Sequence, residues 1–143
     1  MKRKIYLAVS LDPEKRADAI HARDILRAQD CEVYSPWEHV VTHAWEYPNT
    51  EWGLMVFQSD VSAINDSDEV VVLSYGRETT AGTNWEAGYA FGIGKKIILV
   101  EMTERIMSLM VANGRYATVK GLEGLKNYDW SKMPKLRSET EQK

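Results

Sequence analysis

Three short apolar runs constrain this chain more than anything else in it: residues 4–9 (KIYLAV), Glu69–Ser74 (EVVVLS) and residues 96–100 (KIILV). None alternates polar with apolar, so each reads as a strand covered on both faces, the pattern of a parallel sheet. Parallel strands need crossover connections, and the intervening sequence supplies helical ones. Pro13 opens a helix whose apolar stripe is Ala17, Ile20, Ala22, Ile25, Leu26 and Ala28. Cys31–Tyr34 is a second short strand, stopped by Ser35-Pro36. Residues 51–65 form a helix with Trp52, Met55, Val56, Val61 and Ile64 expected inside. Residues 83–94 form a helix rich in small side chains. A short helix over 106–112, a last strand over 115–119 and a short helix over 122–126 complete the pattern. Repeated strand–helix units give an α/β architecture with helices on both faces of the sheet. One domain over residues 1–131, with a polar tail over 132–143 that frays, accommodates all of it.

Such a sheet places its ligand beyond the carboxyl ends of the strands, where the strand order reverses. Three segments fall there: residues 10–13, the irregular segment 36–50 with its two Pro, two His and two Trp, and the polar loop 75–82. Long irregular segments in compact domains commonly carry function.

Composition narrows the field. With 44% hydrophobic and 27% charged residues the chain is ordinary for a globular protein, and a net charge of −3 supplies no basic footprint for a nucleic acid polymer. No apolar run reaches the roughly 18 residues of a membrane span, and the opening apolar stretch is too short for a secretory signal, so a cytoplasmic location is expected. The single cysteine, Cys31, reads as a buried thiol. His21, His39 and His43 are scattered without supporting cysteines or acids, so no metal site and no cofactor is expected, and the spacing matches neither a dinucleotide fingerprint nor a P-loop.

The most informative stretch is residues 75–90, YGRETTAGTNWEAGYA, which follows a buried strand and opens a helix. Gly82 and its small neighbours let a ligand approach the backbone closely. Glu86 lies about one turn in, where the helix dipole is expected to keep its carboxylate ionised. Tyr6, on the first strand, is suited to orienting that carboxylate if its hydroxyl points into the crevice. The cluster Asn65-Asp66-Ser67-Asp68 precedes the third strand; strand polarity alone sets it at the edge away from the ligand.

These residues resemble the nucleoside 2-deoxyribosyltransferase family, including its relatives that hydrolyse nucleoside 5′-monophosphates. The resemblance rests on residues 4–8 (KIYLA), Tyr34-Ser35-Pro36, Glu51-Trp52 with Phe57 and Asp60-Val61, residues 64–70 (INDSDEV), the signature GTNWEAGYA over 82–90, and Leu109-Met110. It implies a flavodoxin-like three-layer sandwich with a five-stranded, mainly parallel sheet. It further implies cleavage of an N-glycosidic bond through a covalent glycosyl–Glu86 intermediate, with net retention after two displacements. Asp68 matches the family aspartate that protonates the leaving base, and Tyr6 the tyrosine beside the nucleophile. Transferases of the family carry an aspartate six residues before the nucleophile, where it holds the sugar 5′-hydroxyl. Here that position is Thr80, a hydroxyl residue as in the monophosphate hydrolases. The primary expectation is transfer of a 2-deoxyribosyl group between nucleobases, and the alternative is hydrolysis of (deoxy)nucleoside 5′-monophosphates. A third is a nucleotide-binding module without turnover. The resemblance also implies a homo-oligomer, dimer or hexamer, whose sites are completed by the neighbouring subunit, with Asn113 and Thr118 as substrate-binding candidates.

Overall fold

The structure is a computed structural model that describes residues 2–39, 46, 48–104 and 108–132. Five strands form one sheet: β1 (Arg3–Ala8), β2 (Cys31–Tyr34), β3 (Glu69–Ser74), β4 (Lys96–Glu101) and β5 (Ala117–Lys120). Their order is β2-β1-β3-β4-β5, and every neighbouring pair is parallel. The helices are α1 (Arg16–Ala28), α2 (Asn49–Asp66), α3 (Ala81–Gly92), α4 (Leu109–Gly114) and α5 (Gly121–Lys126).

Side-chain alternation along the strands sorts the core into two layers. Ile5 and Leu7 of β1, Val71 and Leu73 of β3, and Ile98 and Val100 of β4 pack with Ala19, Ala22 and Leu26 of α1 and Leu125 of α5. Their alternates, Tyr6 and Ala8, Val70 and Val72, Ile97 and Leu99, pack with Ile64 of α2 and with Ala87 and Ala90 of α3. The result is the expected three-layer sandwich. Because both faces of β3 are covered, all six of its residues are buried, which is why its sequence is a continuous apolar run. Cys31 is a free, buried thiol, as its sequence position suggests.

The differences from expectation have local causes. The sheet is wholly parallel. α3 begins two residues earlier than residue 83, because Thr80 is its N-cap and its hydroxyl accepts from the Thr83 N–H. α3 ends at Gly92, and just past its end Gly94 takes a φ of +84° while the Lys95 N–H donates to the Ala90 carbonyl; glycine adopts this left-handed turn without the penalty a Cβ imposes. In α2 only Ile64 of the expected inner face is fully buried, and Trp52 and Met55 stand more than a third exposed. α1 buries Ala19, Ala22 and Leu26 but leaves Ala17 and Ala28 exposed. Of the irregular segment 36–50, residues 40–45 and 47 lie outside the described residues. So do residues 106–107 of the expected helix over 106–112, and 133–143 of the tail.

Candidate active site

The fold places α2 and α3 side by side over the face of the sheet that carries Tyr6. A cavity of about 660 Å³ opens where they meet the carboxyl ends of β1 and β3, the point at which the strand order reverses. All three segments expected at this edge line it: Ser10 and Asp12 after β1, Pro36 after β2, Thr80 after β3. α2 contributes a wall the sequence reading did not assign to the site, including Phe57, Asp60 and Ile64. Gly82, Trp85 and Glu86 come from α3, and no atom lies within 4 Å of where a Gly82 Cβ would stand, so the backbone there is open to a ligand.

Glu86 is the focus. Strand alternation points Tyr6 at α3, and the Tyr6 hydroxyl, wholly buried, donates a hydrogen bond to Glu86 Oε2. The Glu86 carboxyl is nevertheless pushed up to about 7, first by burial, which the Tyr6 hydrogen bond opposes and the negative charge of Asp60 reinforces. The expectation that the helix dipole keeps Glu86 ionised therefore does not hold: with the helix starting at Ala81, Glu86 is in its second turn, where the dipole has faded and desolvation wins. Asp60 is also raised by burial, while the Tyr6 hydroxyl and His39 pull it back down. Tyr6 itself is held far above its ordinary range by burial and by the two carboxylates.

Behind Tyr6 lies a stack of three rings. Tyr34 is the register partner of Tyr6 on β2, and their rings are 5.6 Å apart and 14° from parallel. His39 covers the outer face of Tyr34, at 4.1 Å and 1°.

Asp68 is not part of this site. It sits before β3 at the opposite edge of the sheet, exposed, where its carboxylate accepts from the Lys4 backbone N–H at 2.8 Å and its own N–H donates to the Lys4 carbonyl. Strand polarity is the physical reason, and the acid that shares the cavity with Glu86 is Asp60 instead. The signal for Asp60 was present: it is an acidic residue one helical turn before Ile64, on an otherwise apolar stripe.

Of the substrate-binding candidates, Thr80 and Gly82 line the cavity. Thr80 Oγ1 lies 2.9 Å from Thr83 Oγ1. Asn113 and Thr118 do not reach the cavity of their own subunit. Asn113 is on α4, beside a second, apolar cavity of about 350 Å³ between α3 and α4, and its amide donates to the Leu109 carbonyl. Thr118 is on the edge strand β5, with its hydroxyl buried and lacking a hydrogen-bond partner. Among the described residues, no group of three or more His, Cys, Asp or Glu is arranged to hold a metal ion, and no helix is long and apolar enough to cross a membrane.

Comparison with known proteins agrees with this geometry. A family model described as nucleoside 2-deoxyribosyltransferase matches residues 5–132. No curated protein matches the chain. Among solved structures, the chain is similar to a 2-deoxyribosyltransferase from the psychrotolerant bacterium Bacillus psychrosaccharolyticus, with 29% identity, a TM-score of 0.82, and coverage of 92% of this chain and 96% of that one. A conserved protein from Enterococcus faecalis V583 follows at 19% identity and TM-score 0.73, covering 88% and 96% of the two chains. The Clostridium botulinum CMP N-glycosidase BcmB shares the fold at 19% identity and TM-score 0.56, covering 87% and 96%. With its model spanning nearly the whole chain, its fold and its acidic cavity, this protein belongs to the nucleoside 2-deoxyribosyltransferase family of enzymes and related N-glycosidases, which act on nucleosides or nucleotides.

Proposed function

We propose that the protein transfers a 2-deoxyribosyl group from a 2′-deoxynucleoside to another nucleobase, with Glu86 as nucleophile. The observation that carries this reading is a half-buried carboxylate, Glu86, that lines a substrate-sized cavity and is held by the Tyr6 hydroxyl. A Glu86 oxygen attacks C1′ and forms the glycosyl ester, and the C1′–N bond pair departs with the base. The departing nitrogen takes a proton from Asp60, whose neutral form burial favours. In the second half an incoming base attacks C1′, the ester bond pair returns to Glu86, and the incoming base's proton passes to Asp60. Glu86 must be ionised and Asp60 protonated at the start, so the pair shares one proton. The Tyr6 hydrogen bond, which favours the charged form of Glu86, biases it in the working direction.

The nucleoside is favoured over the 5′-monophosphate by charge. The described lining of the cavity carries three acidic side chains, Asp12, Asp60 and Glu86, and no Lys or Arg; even with one proton shared by Asp60 and Glu86, a phosphate dianion placed among them is repelled. A second reading, hydrolysis of a nucleoside 5′-monophosphate, is supported by Thr80: its hydroxyl and the N-terminus of α3 offer donors to a phosphate. A second copy of the chain is expected against the exposed apolar residues of α2, α3 and α4, among them Leu54, Phe91 and Met110. That is the side on which Asn113 lies.

One assay separates the two readings. The protein is incubated with a deoxynucleoside and a free acceptor base, and in parallel with deoxynucleoside monophosphates, and products are followed by chromatography. Exchanged nucleoside supports transfer; free base with sugar phosphate supports hydrolysis. Glu86→Gln is expected to abolish either, and a folded Glu86→Gln protein with near-normal turnover would overturn both.

A further inference from the structure

Tyr34 is absent from the cavity lining, yet its ring stacks both with Tyr6, the partner of Glu86, and with the exposed His39. Its ring lies against Tyr6 at 5.6 Å and against His39 at 4.1 Å, all three nearly parallel. The register of β1 with β2 sets Tyr6 and Tyr34 opposite each other on one face of the sheet, where cross-strand aromatic pairs interact directly. The neighbouring Ser35 and Pro36 are buried, which fixes the backbone after Tyr34. A separate pocket of about 260 Å³ is lined by Tyr34, His39, Lys4, Glu32 and Asp66 among others. Tyr34 is therefore held by stacking on a core tyrosine and on a surface histidine.

A phenol ring in a strand rotates about two side-chain bonds, and the position of its hydroxyl depends on what holds the ring plane. On one face of the Tyr6 ring that support is Tyr34. We propose that Tyr34, backed by His39, is a positioning residue that fixes the Tyr6 ring so that its hydroxyl donates to Glu86 rather than to Asp60. This rests on the reading of Glu86 as the nucleophile. Both carboxylates feel the Tyr6 hydroxyl, and it has one proton to give. The direction of that donation decides which carboxylate is the anion, and so which is the nucleophile.

The groups that face Glu86 are Tyr6 from β1, Asp60 from α2 and, more distantly, Tyr34 from β2; His39, after β2, faces Asp60. The test compares variants that all retain His39 and Asp60, so both groups are common to each profile. The acidic limb of kcat/KM against pH is recorded for the wild type, Tyr6→Phe, Tyr34→Leu, Tyr34→Phe and the Tyr6→Phe/Tyr34→Leu double variant, with Glu86→Gln as control. Tyr34→Leu is expected to lower kcat by about tenfold and to move the acidic limb upward, toward that of Tyr6→Phe. Tyr34→Phe, which keeps the ring, is expected to restore the wild-type limb and most of kcat. In the double variant the Leu substitution is expected to add little to Tyr6→Phe, because both act on one hydrogen bond. A limb that stays put in folded Tyr34→Leu, a limb that moves down because water enters, or full additivity in the double variant each overturns the proposal. An active Glu86→Gln overturns the nucleophile reading itself, a separate and distinguishable failure.

Discussion

At neutral pH Glu86 is poised between two protonation states, and this has opposite consequences for turnover and for stability. A nucleophile acts as its anion, so kcat/KM is expected to rise through an acidic limb centred near pH 7, where burial sets the Glu86 carboxyl. Removing the Tyr6 donor favours the neutral acid, so Tyr6→Phe moves the limb upward, by roughly one pH unit for a hydrogen bond to a charged group; a pH–rate profile of the variant checks this. For stability the sign runs the other way. The folded carboxyl is held near 7, against 4.5 as its ordinary value, so between those values the folded protein binds more protons than the unfolded chain. Stability therefore declines as pH rises through that window, and by pH 8 the loss approaches about 3 kcal/mol. Glu86→Gln removes this cost. It is expected to be inactive but more stable than wild type at pH 8, with the gain shrinking toward zero near pH 4, as read by thermal melts at both pH values. Equal gains at the two pH values would show that Glu86 does not titrate in this window.

Among the elements, α3 carries Glu86 and begins at the cavity-lining Thr80, and its two ends can be tested separately. At the N-terminus Thr80 both caps the helix and lines the cavity. Aspartate caps as well as threonine, so Thr80→Asp is expected to hold stability while raising the ratio of kcat/KM for deoxynucleoside over monophosphate by more than tenfold. Competing-substrate assays and melts on one preparation check both halves. At the C-terminus Gly94→Ala forces a Cβ into a left-handed turn and is expected to cost about 1 kcal/mol in denaturant unfolding with little change in KM. Elements also show what the sequence made legible. The three apolar runs, the alternation that aims Tyr6 at α3, and the three loops at the ligand edge were all readable from periodicity and polarity. The α2 wall was not, because its apolar residues run nearly all round the helix: Leu54 and Met55 face away from the cavity while Phe57, Asp60 and Ile64 line it. Asp68 was misplaced where family resemblance was allowed to outweigh strand polarity, and polarity held.

For the molecule as a whole, the exposed apolar residues have a direction. Leu54 and Phe57 of α2, Phe91 of α3, and Leu109 and Met110 of α4 all belong to the helical layer on the Tyr6 side of the sheet, and Met110 is 84% exposed. Exposed apolar residues gathered on one layer are what the proposed second copy would cover. Met110→Glu is expected to lower the molar mass measured by light scattering to that of a single chain. If the neighbouring subunit completes the site, turnover falls with it; a monomer of undiminished activity would show that each chain works alone. Asn113 and Thr118, substrate-binding candidates by resemblance, lie outside the lining of the cavity that holds Glu86.

The described lining of the cavity comes from residues 9 to 86. As the chain leaves the ribosome, all of that lining has been made before β4 exists. The last two strands then serve to close the open flank of β3, to carry α4 and α5, and, through Ile97 and Leu99, to seat α3 under Ala87 and Ala90. Lining and scaffolding are thus written in sequence, and the wall around Glu86 is set in place only when the final third has packed beneath it.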